Sequence, residues 1–162
     1  MLDKKIEIAL NRQITEEFFS AHLYLSMSAY FGNENLSGFA NWTLLQYKEE
    51  VSHGMRFFNY IIERGGRVNL EKIDTPKVSW KSPLAAFEDV LAHEQKITDC
   101  INKLVTLAKS EKDYATDNML QWFVTEQVEE EASASDILQK LQFTKGSNSS
   151  LLFLDGQLSK RK

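Results

Sequence analysis

The sequence has few of the residues that interrupt helices or cross-link a chain. Its 162 residues include two prolines, seven glycines and one cysteine. So few prolines and glycines permit long uninterrupted helices, because these two residues are the strongest helix breakers. The lone cysteine, Cys100, excludes an internal disulfide and a four-cysteine metal site, and it fits a reducing cytosol.

Strong positive charge and long apolar runs are also missing. The formal net charge is −4, which argues against a nucleic-acid-binding protein because such proteins need a basic face. Charged residues are spread through the first thirty positions, so we expect neither a signal peptide nor a membrane span, and a cytoplasmic location. A 43% hydrophobic content over 162 residues suits one globular domain with a single core.

Four segments have apolar residues at every third or fourth position, the pattern of amphipathic helices. Near the middle of each apolar stripe lies one carboxylate, in chain order Glu17, Glu50, Glu94 and Glu130. Burying a carboxylate costs several kcal/mol unless a partner compensates it. Residues at the middle of a helix meet at one level whether neighbouring helices run parallel or antiparallel. The four stripes therefore predict one shared metal site rather than four separate exceptions.

Glu50 and His53 are the most specific pair within these stripes. A Glu-x-x-His spacing that points into a bundle is how di-iron carboxylate proteins present metal ligands, although the motif by itself occurs by chance in many helices. We expect Glu50 to bridge two metals, with Glu17 and His53 on one side and Glu94 and Glu130 on the other. Gln127 stands three residues before Glu130, so the second half lacks an imidazole and should hold its metal less firmly.

The order of the helices predicts an all-α, ferritin-like four-helix bundle with one long crossover and a short fifth C-terminal helix. The predicted helices cover residues 3–31, 38–64, 83–110, 114–145 and 151–160. We expect residues 65–82 to run the length of the bundle. Residues 1–145 would form the di-iron bundle, and residues 146–162 a short helix and tail of the same domain.

Local residues predict where several of these helices start and stop. Ser37, Ser82 and Asp113 are candidate N-caps. Glycines at the predicted C-terminal ends, Gly32, Gly65 and Gly146, are candidates for the left-handed conformation that closes a helix. The fifth helix is rich in leucine and carries Phe153, so we expect it to pack at a contact between subunits.

The same residues resemble those of bacterial and archaeal non-haem ferritins across nearly the whole chain. The resemblance rests on Glu17 with Tyr24, the run 47–53 (YKEEVSH), Glu94, and the block 121–131 (QWFVTEQVEEE). It implies a cage of 24 subunits that oxidises Fe(II), with oxygen or hydrogen peroxide as acceptor, and stores a ferric oxide mineral.

The resemblance also assigns roles to individual residues. It implies a third iron position beside the pair, at Glu49, Glu126, Glu129 and Glu130, and gives Tyr24 a part in electron supply. Bacterioferritins place a haem-binding methionine directly after the glutamate of Glu-x-x-His, where this chain has Val51, so no haem is expected. Rubrerythrins need a cysteine-rich iron site that one cysteine cannot build.

Simpler interpretations stay open for several of these residues. Glu49, Glu126 and Glu129 can be solvated surface charges, Tyr24 a packed core residue, and we expect His22 and His93 to be surface histidines. Two other functions also fit the pattern: a di-iron oxidase or peroxidase that stores no mineral, and a non-catalytic bundle with a structural polar core.

Overall fold

The computed structural model describes residues 2–162, and within that range it contains five helices and no strand. The helices are α1 (Lys4–Asn33), α2 (Ser37–Glu63), α3 (Pro83–Ser110), α4 (Tyr114–Thr144) and α5 (Asn148–Leu158). The predicted all-α class and the order of the elements are confirmed. No helix among residues 2–162 combines the length and the apolar character needed to cross a bilayer.

Two of the three predicted N-caps are confirmed. The Ser82 side chain accepts a hydrogen bond from the Ala85 amide at 3.1 Å. The Asp113 side chain accepts one from the Thr116 amide at 3.0 Å. Each cap satisfies one of the free amides that every helix start presents, which is why a polar residue just before an apolar stripe marks a helix start.

The third prediction, that Ser37 is the N-cap of α2, is wrong. Helix α2 begins at Ser37 itself, and the residue before it, Leu36, has no side-chain oxygen that could accept a bond. The Phe39 amide instead donates to Oδ1 of Asp155 at 2.9 Å. Because this carboxylate comes from α5, no local sequence pattern could have located the cap.

The helix C-terminal ends follow the glycine prediction at two positions of three. Gly65 and Gly146 adopt the left-handed conformation, with φ of +70° and +77°. Gly32 does not, because α1 continues to Asn33 and the left-handed residue is Asn35, with φ of +59°. Asparagine tolerates this conformation better than most residues. The left-handed residue is therefore Asn35, three positions after the predicted Gly32.

Residues 64–82 form the predicted long crossover, which follows α1. Near the start of α1, Asn11 donates to the carbonyl of Arg67 at 3.0 Å and accepts from the Asn69 amide at 2.6 Å. Further along α1, the Ser26 hydroxyl donates to the carbonyl of Lys77 at 2.7 Å. The connection therefore carries the chain from one end of the bundle to the other.

A polar layer divides the apolar core into two clusters. In the bundle, α1 packs against α2 and α3, and α3 packs against α4. One cluster fills the end near α5 and includes Phe31, Phe39, Phe87 and Ile137. The other fills the opposite end and includes Leu10, Phe57, Ile101 and Phe123. The two clusters fix the four helices above and below the layer, so side chains at the middle of each helix are held at one level.

Helix α5 docks on its own bundle by one face only. It packs against α2 and α4 and buries Leu154 and Asp155. Its other face leaves Leu152 60% and Phe153 71% exposed. Part of the apolar surface of α5 is therefore free of contact with its own subunit, and the expected packing at a subunit contact stays a prediction.

Gly38→Ala should loosen α5, since a Cβ at residue 38 would lie 1.7 Å from the carbonyl oxygen of Asp155. We expect a loss of about 1–3 kcal/mol, the usual result of overpacking a fixed contact. Thermal unfolding and the rate of protease cleavage within residues 146–162 measure it.

Gly32→Ala is the matched control, because a Cβ there meets nothing within 4 Å and the residue is helical. It should leave the cleavage rate unchanged and raise stability by up to about 1 kcal/mol, the difference in helix propensity. Equal cleavage of both variants would contradict the role given to Gly38.

Candidate di-metal centre

Five ionisable side chains meet in the polar layer between the two apolar clusters. They are the four predicted carboxylates and His53, each at most 7% exposed: Glu17, Glu50, His53, Glu94 and Glu130. Each of the four long helices contributes at least one of them. The apolar stripes bring these residues inside because the surrounding positions of the same faces are packed core.

Three of these residues form what we call the inner group: Glu17, Glu50 and His53. One ligand atom from each lies within 4.8 Å of the other two. Nδ1 of His53 is 3.9 Å from Oε2 of Glu17 and 3.4 Å from Oε2 of Glu50. Two carboxylates and an imidazole at this spacing are a donor set that suits iron and other transition metals.

A second set, which we call the outer group, consists of His53, Glu126 and Glu130. Its ligand atoms also lie within 4.8 Å of one another, and Nε2 of His53 is 4.0 Å from Oε1 of Glu126. The Glu126 side chain is half-buried, so this group reaches toward the surface. His53 therefore turns one ring nitrogen to each group and lies between them.

Glu94 lies in the layer without belonging to either group. Its carboxylate accepts hydrogen bonds from the Tyr24 hydroxyl and, at 3.3 Å, from Nε2 of Gln127. The negative charge of Glu94 raises the pKa of both Glu50 and Glu130, so it lies close enough to act on each. The structure places Glu130 beside His53 and Glu126, and the pairing of Glu130 with Glu94 as ligands of one metal stays a prediction.

Glutamine side chains support the layer, and sequence reasoning missed them as functional residues. Gln13 donates to Glu17 and Gln46 donates to Glu130, each at 2.8 Å. Gln13 precedes Glu17 by four residues and Gln46 precedes Glu50 by four, on the same helix faces. A glutamine one turn before a buried carboxylate was the available signal.

Gln46 also leaves one polar atom unsatisfied. The side chain is fully buried, and its carbonyl oxygen Oε1 finds no hydrogen-bond donor among residues 2–162. An orphaned buried acceptor costs about 1–3 kcal/mol. Together with a donor set of carboxylates and one imidazole, this acceptor fits a layer that receives a hydrated metal ion.

Burial makes the carboxylates unusually basic. It raises the pKa of Glu17 to about 8, with a further rise from the charge of Glu50, and the pKa of Glu130 to about 7. The pKa values of Glu50 and Glu94 are also raised, again chiefly by burial. No lysine or arginine in the described part of the chain forms a salt bridge with these four carboxylates. The carboxylates therefore lack a cationic partner within the subunit, and without a bound cation they tend to keep their protons.

Comparison with known proteins agrees with this geometry. Residues 7–144 match the family described as the ferritin-like domain. The chain belongs to this family. It is 43% identical to a bacterial non-heme ferritin of Bacteroides fragilis (strain 638R) over 161 residues, which cover 99% of this chain and 100% of that protein. A bacterial non-heme ferritin of Staphylococcus epidermidis is 45% identical over 133 residues, 82% of this chain and 80% of that one.

Solved structures extend the similarity to an archaeal ferritin. An open pore ferritin from the hyperthermophilic archaeon Archaeoglobus fulgidus superposes with a TM-score of 0.99 at 51% identity, and 100% of each chain is covered. The resemblance to non-haem ferritins and the ferritin-like fold are thus confirmed.

The third iron position that the ferritin resemblance implies is only partly assembled here. Glu126 and Glu130 lie together in the outer group. Glu49 instead forms a salt bridge with Arg161, with Nη2 2.6 Å from Oε2. Glu129 lies on α4 with an exposed side chain. The use of Glu49 and Glu129 by iron therefore stays a prediction.

The expectation that His93 is a surface residue is wrong. Its side chain is buried, and Nε2 lies 2.7 Å from the Ser20 hydroxyl of α1. Burial lowers the pKa of His93 to about 4, so the ring is neutral at pH 7. The face of α3 that contacts α1 is broader than its predicted apolar stripe, which is why the stripe did not include this residue. His22 is exposed, as expected.

The raised pKa values give this ferritin-like bundle a pH-dependent stability when no metal is bound. Glu17 and Glu130 keep their protons up to about pH 8 and 7 in the folded protein, whereas an unfolded glutamate loses its proton near pH 4.3. The folded state therefore binds more protons in between. Its free energy of unfolding should fall as the pH rises from about 5 to 8.

Glu17→Gln should remove a large part of that loss, because it keeps the shape of the side chain and removes the charge. At pH 8 the metal-free variant should exceed the parent by about 1–4 kcal/mol, and at pH 5 the two should be nearly equal. Urea unfolding at both pH values measures this. Glu63→Gln, an equal change at an exposed carboxylate, is the control. If Glu17→Gln and Glu63→Gln show the same pH dependence, the buried charge is not destabilising.

Proposed function

We propose that this protein stores iron and is a ferroxidase, which oxidises Fe(II) to Fe(III) within the polar layer. The observation that carries the proposal is the buried layer itself, in which each of the four long helices contributes one carboxylate and His53 adds an imidazole. This arrangement supports the binding of two cations side by side. Family membership and the likeness to non-heme ferritins identify iron as the cation.

The residues of the layer suit iron as a substrate in both oxidation states. Carboxylates are hard anionic donors that favour Fe(III), while imidazole suits Fe(II) as well. Two metals about 3.5–4 Å apart form a recognised catalytic arrangement. Two Fe(II) ions give up two electrons, which together with two protons from solvent reduce one oxygen molecule to hydrogen peroxide, or one hydrogen peroxide molecule to two water molecules.

Entry of Fe(II) should displace protons from the layer. Glu17 and Glu130, with pKa values of about 8 and 7, hold protons at neutral pH when no metal is present. Metal ligands must be deprotonated, so binding releases these protons to solvent. The carboxylates thereby exchange bound protons for iron, and they stay buried throughout.

We assign the ligands as follows. Glu50 bridges the two irons, and the remaining ligands are drawn from the same layer: Glu17, His53, Glu94, Glu130 and Gln127. We propose that Tyr24 takes part in electron supply, and its hydrogen bond to Glu94 supports this role. A third iron would use the outer group together with Glu49 and Glu129.

Storage requires a closed shell, and we propose a homo-oligomer of 24 subunits around a ferric oxide mineral. Support comes from the apolar surface around α5, where Phe143 is 79% and Phe153 71% exposed. Monomeric proteins rarely leave such aromatic surface uncovered, and a symmetric assembly buries it. We expect the protein in the cytosol, where a single free cysteine stays reduced.

Glu50→Ala and His53→Ala should each slow rapid Fe(II) oxidation on the order of 100-fold or more, because each removes a metal ligand. The bundle should remain folded in both variants, because the two apolar clusters hold the four helices together, and Glu50→Ala also removes one of the crowded carboxylates. Stopped-flow absorbance after aerobic Fe(II) addition measures the rate. Glu63→Ala, an exposed glutamate outside both groups, should oxidise iron at the parent rate. Parent-like oxidation by Glu50→Ala would disprove the assignment.

The native particle should have about 24 times the mass of the 18.7 kDa chain by analytical ultracentrifugation. Phe153→Asp should break this particle into smaller species that keep their helical content, because the ring is exposed in the single subunit. Phe153→Leu keeps an apolar side chain and should leave the particle intact. A native monomer or dimer would contradict storage and leave a di-iron oxidase that holds no mineral.

A further inference from the structure

The end of the chain lies along α2, on the side of the metal centre. We call residues 155–161 the C-terminal strap. Its first residue, Asp155, caps α2 by accepting from the Phe39 amide at 2.9 Å. Its last residue, Arg161, accepts at its carbonyl a hydrogen bond of 3.2 Å from the Asn41 side chain. The strap therefore runs from the start of α2 toward its middle.

At the end of the strap, Arg161 contacts a carboxylate that lies next to the residues of the inner and outer groups. Its Nη2 donates to Oε2 of Glu49 at 2.6 Å, and its Nη1 donates to the carbonyl of Trp42 at 3.4 Å. The guanidinium also lies over the Trp42 ring, 4.7 Å from the ring centroid. These three contacts leave 27% of the arginine side chain exposed, so the guanidinium is held in place yet can be released to water.

Glu49 is close enough to the centre for its charge to matter there. It directly precedes Glu50 on α2, and one turn of the same helix separates it from His53 of the outer group. Burial and the charge of Glu94 are the main causes of the raised pKa values of Glu50 and Glu130, and the charge of Glu49 adds to both. Glu130 belongs to the outer group, which opens toward the surface at Glu126. A cation that approaches the outer group therefore feels the Glu49 carboxylate, and the arginine on that carboxylate opposes its approach.

We propose that Arg161 is a positioning residue that lowers the affinity of the outer group for Fe(II) by pairing with Glu49, and that iron bound there releases the C-terminal strap. The inference rests on the proposed function, because it takes Fe(II) as the ligand. A guanidinium and a divalent cation compete for one carboxylate, and the divalent ion gains more from it. Partly exposed ion pairs are weak and screened by salt, so Fe(II) can displace this one.

The consequence is a link between the loading of the outer group and the docking of α5. When the outer group holds no iron, Glu49 stays paired with Arg161 and the strap stays bound to α2. Iron at the outer group draws Glu49 away, and the strap loses its salt bridge and keeps the weaker contacts with Phe39, Asn41 and Trp42. Linkage then requires that loosening the strap raise the affinity of the outer group by the same factor.

Anaerobic Fe(II) titration calorimetry of the assembled protein tests the affinity half of the inference. Arg161→Ala should tighten the weaker binding phase about 3- to 10-fold, the range for a weak ion pair with an aromatic contact, and leave the tighter phase unchanged. Glu49→Gln should weaken the weaker phase. The double variant should match Glu49→Gln, because the arginine acts only through Glu49. Lys160→Ala, a neighbouring exposed cation, should match the parent.

Hydrogen exchange of residues 148–162, read by mass spectrometry, tests the release of the strap without any oxidation chemistry. Saturation with Zn(II), which has no redox chemistry, should speed exchange in the parent. Arg161→Ala should exchange fast with and without Zn(II). If Arg161→Ala fails to assemble, Glu49→Gln breaks the same pair from the other side and should also exchange fast without metal.

Three outcomes would overturn the inference: an unchanged weaker phase in Arg161→Ala, a double variant that differs from Glu49→Gln, or exchange that Zn(II) does not alter. These outcomes are separable from failure of the proposed function. If the tighter phase persists while Arg161→Ala has no effect, only the arginine inference fails. If no Fe(II) binds in either phase, both fail together.

Discussion

Burial of four carboxylates without a cationic partner is the constraint on which the rest of the structure depends. Two apolar clusters above and below hold the carboxylates at one level, although burial makes their ionisation costly when no metal is bound. Three glutamines, Gln13, Gln46 and Gln127, donate amide hydrogens to them. Because these donors are neutral, they orient the carboxylates without supplying a positive charge. The carboxylates are thus left to exchange their protons for a metal ion, and apolar packing supplies the stability that the layer lacks.

The fold was predictable from the sequence wherever the cause is local. Apolar periodicity predicted the four long helices, and Ser82 and Asp113 cap amides only three residues away. The prediction failed at Ser37 because the acceptor for the start of α2 comes from Asp155, more than a hundred residues later. It failed at His93 because contact with α1, rather than the stripe of α3, buries that side chain. Contacts between residues that are far apart in the sequence cannot be predicted from a local sequence pattern.

The sequence predicted which residues form the centre better than it predicted how their side chains are arranged. The position of one carboxylate at the middle of each stripe was enough to bring four of them together, because burial is decided by the periodicity of each helix. Side-chain rotamers decide the finer arrangement, and they depend on neighbours from other helices. Glu94 accepts hydrogen bonds from Tyr24 and Gln127, and His53 turns Nε2 toward Glu126. Glu49 turns to Arg161, which lies at the far end of the sequence.

Anomalous diffraction at the iron edge, from crystals soaked anaerobically in Fe(II), is the most direct test of the claim that the polar layer is a two-iron site. The account predicts two peaks inside each bundle, about 3.5–4 Å apart, with Glu50 contacting both and His53 contacting one of them. Iron found only on the outer surface of the subunit, with the layer between the two apolar clusters empty, would contradict it.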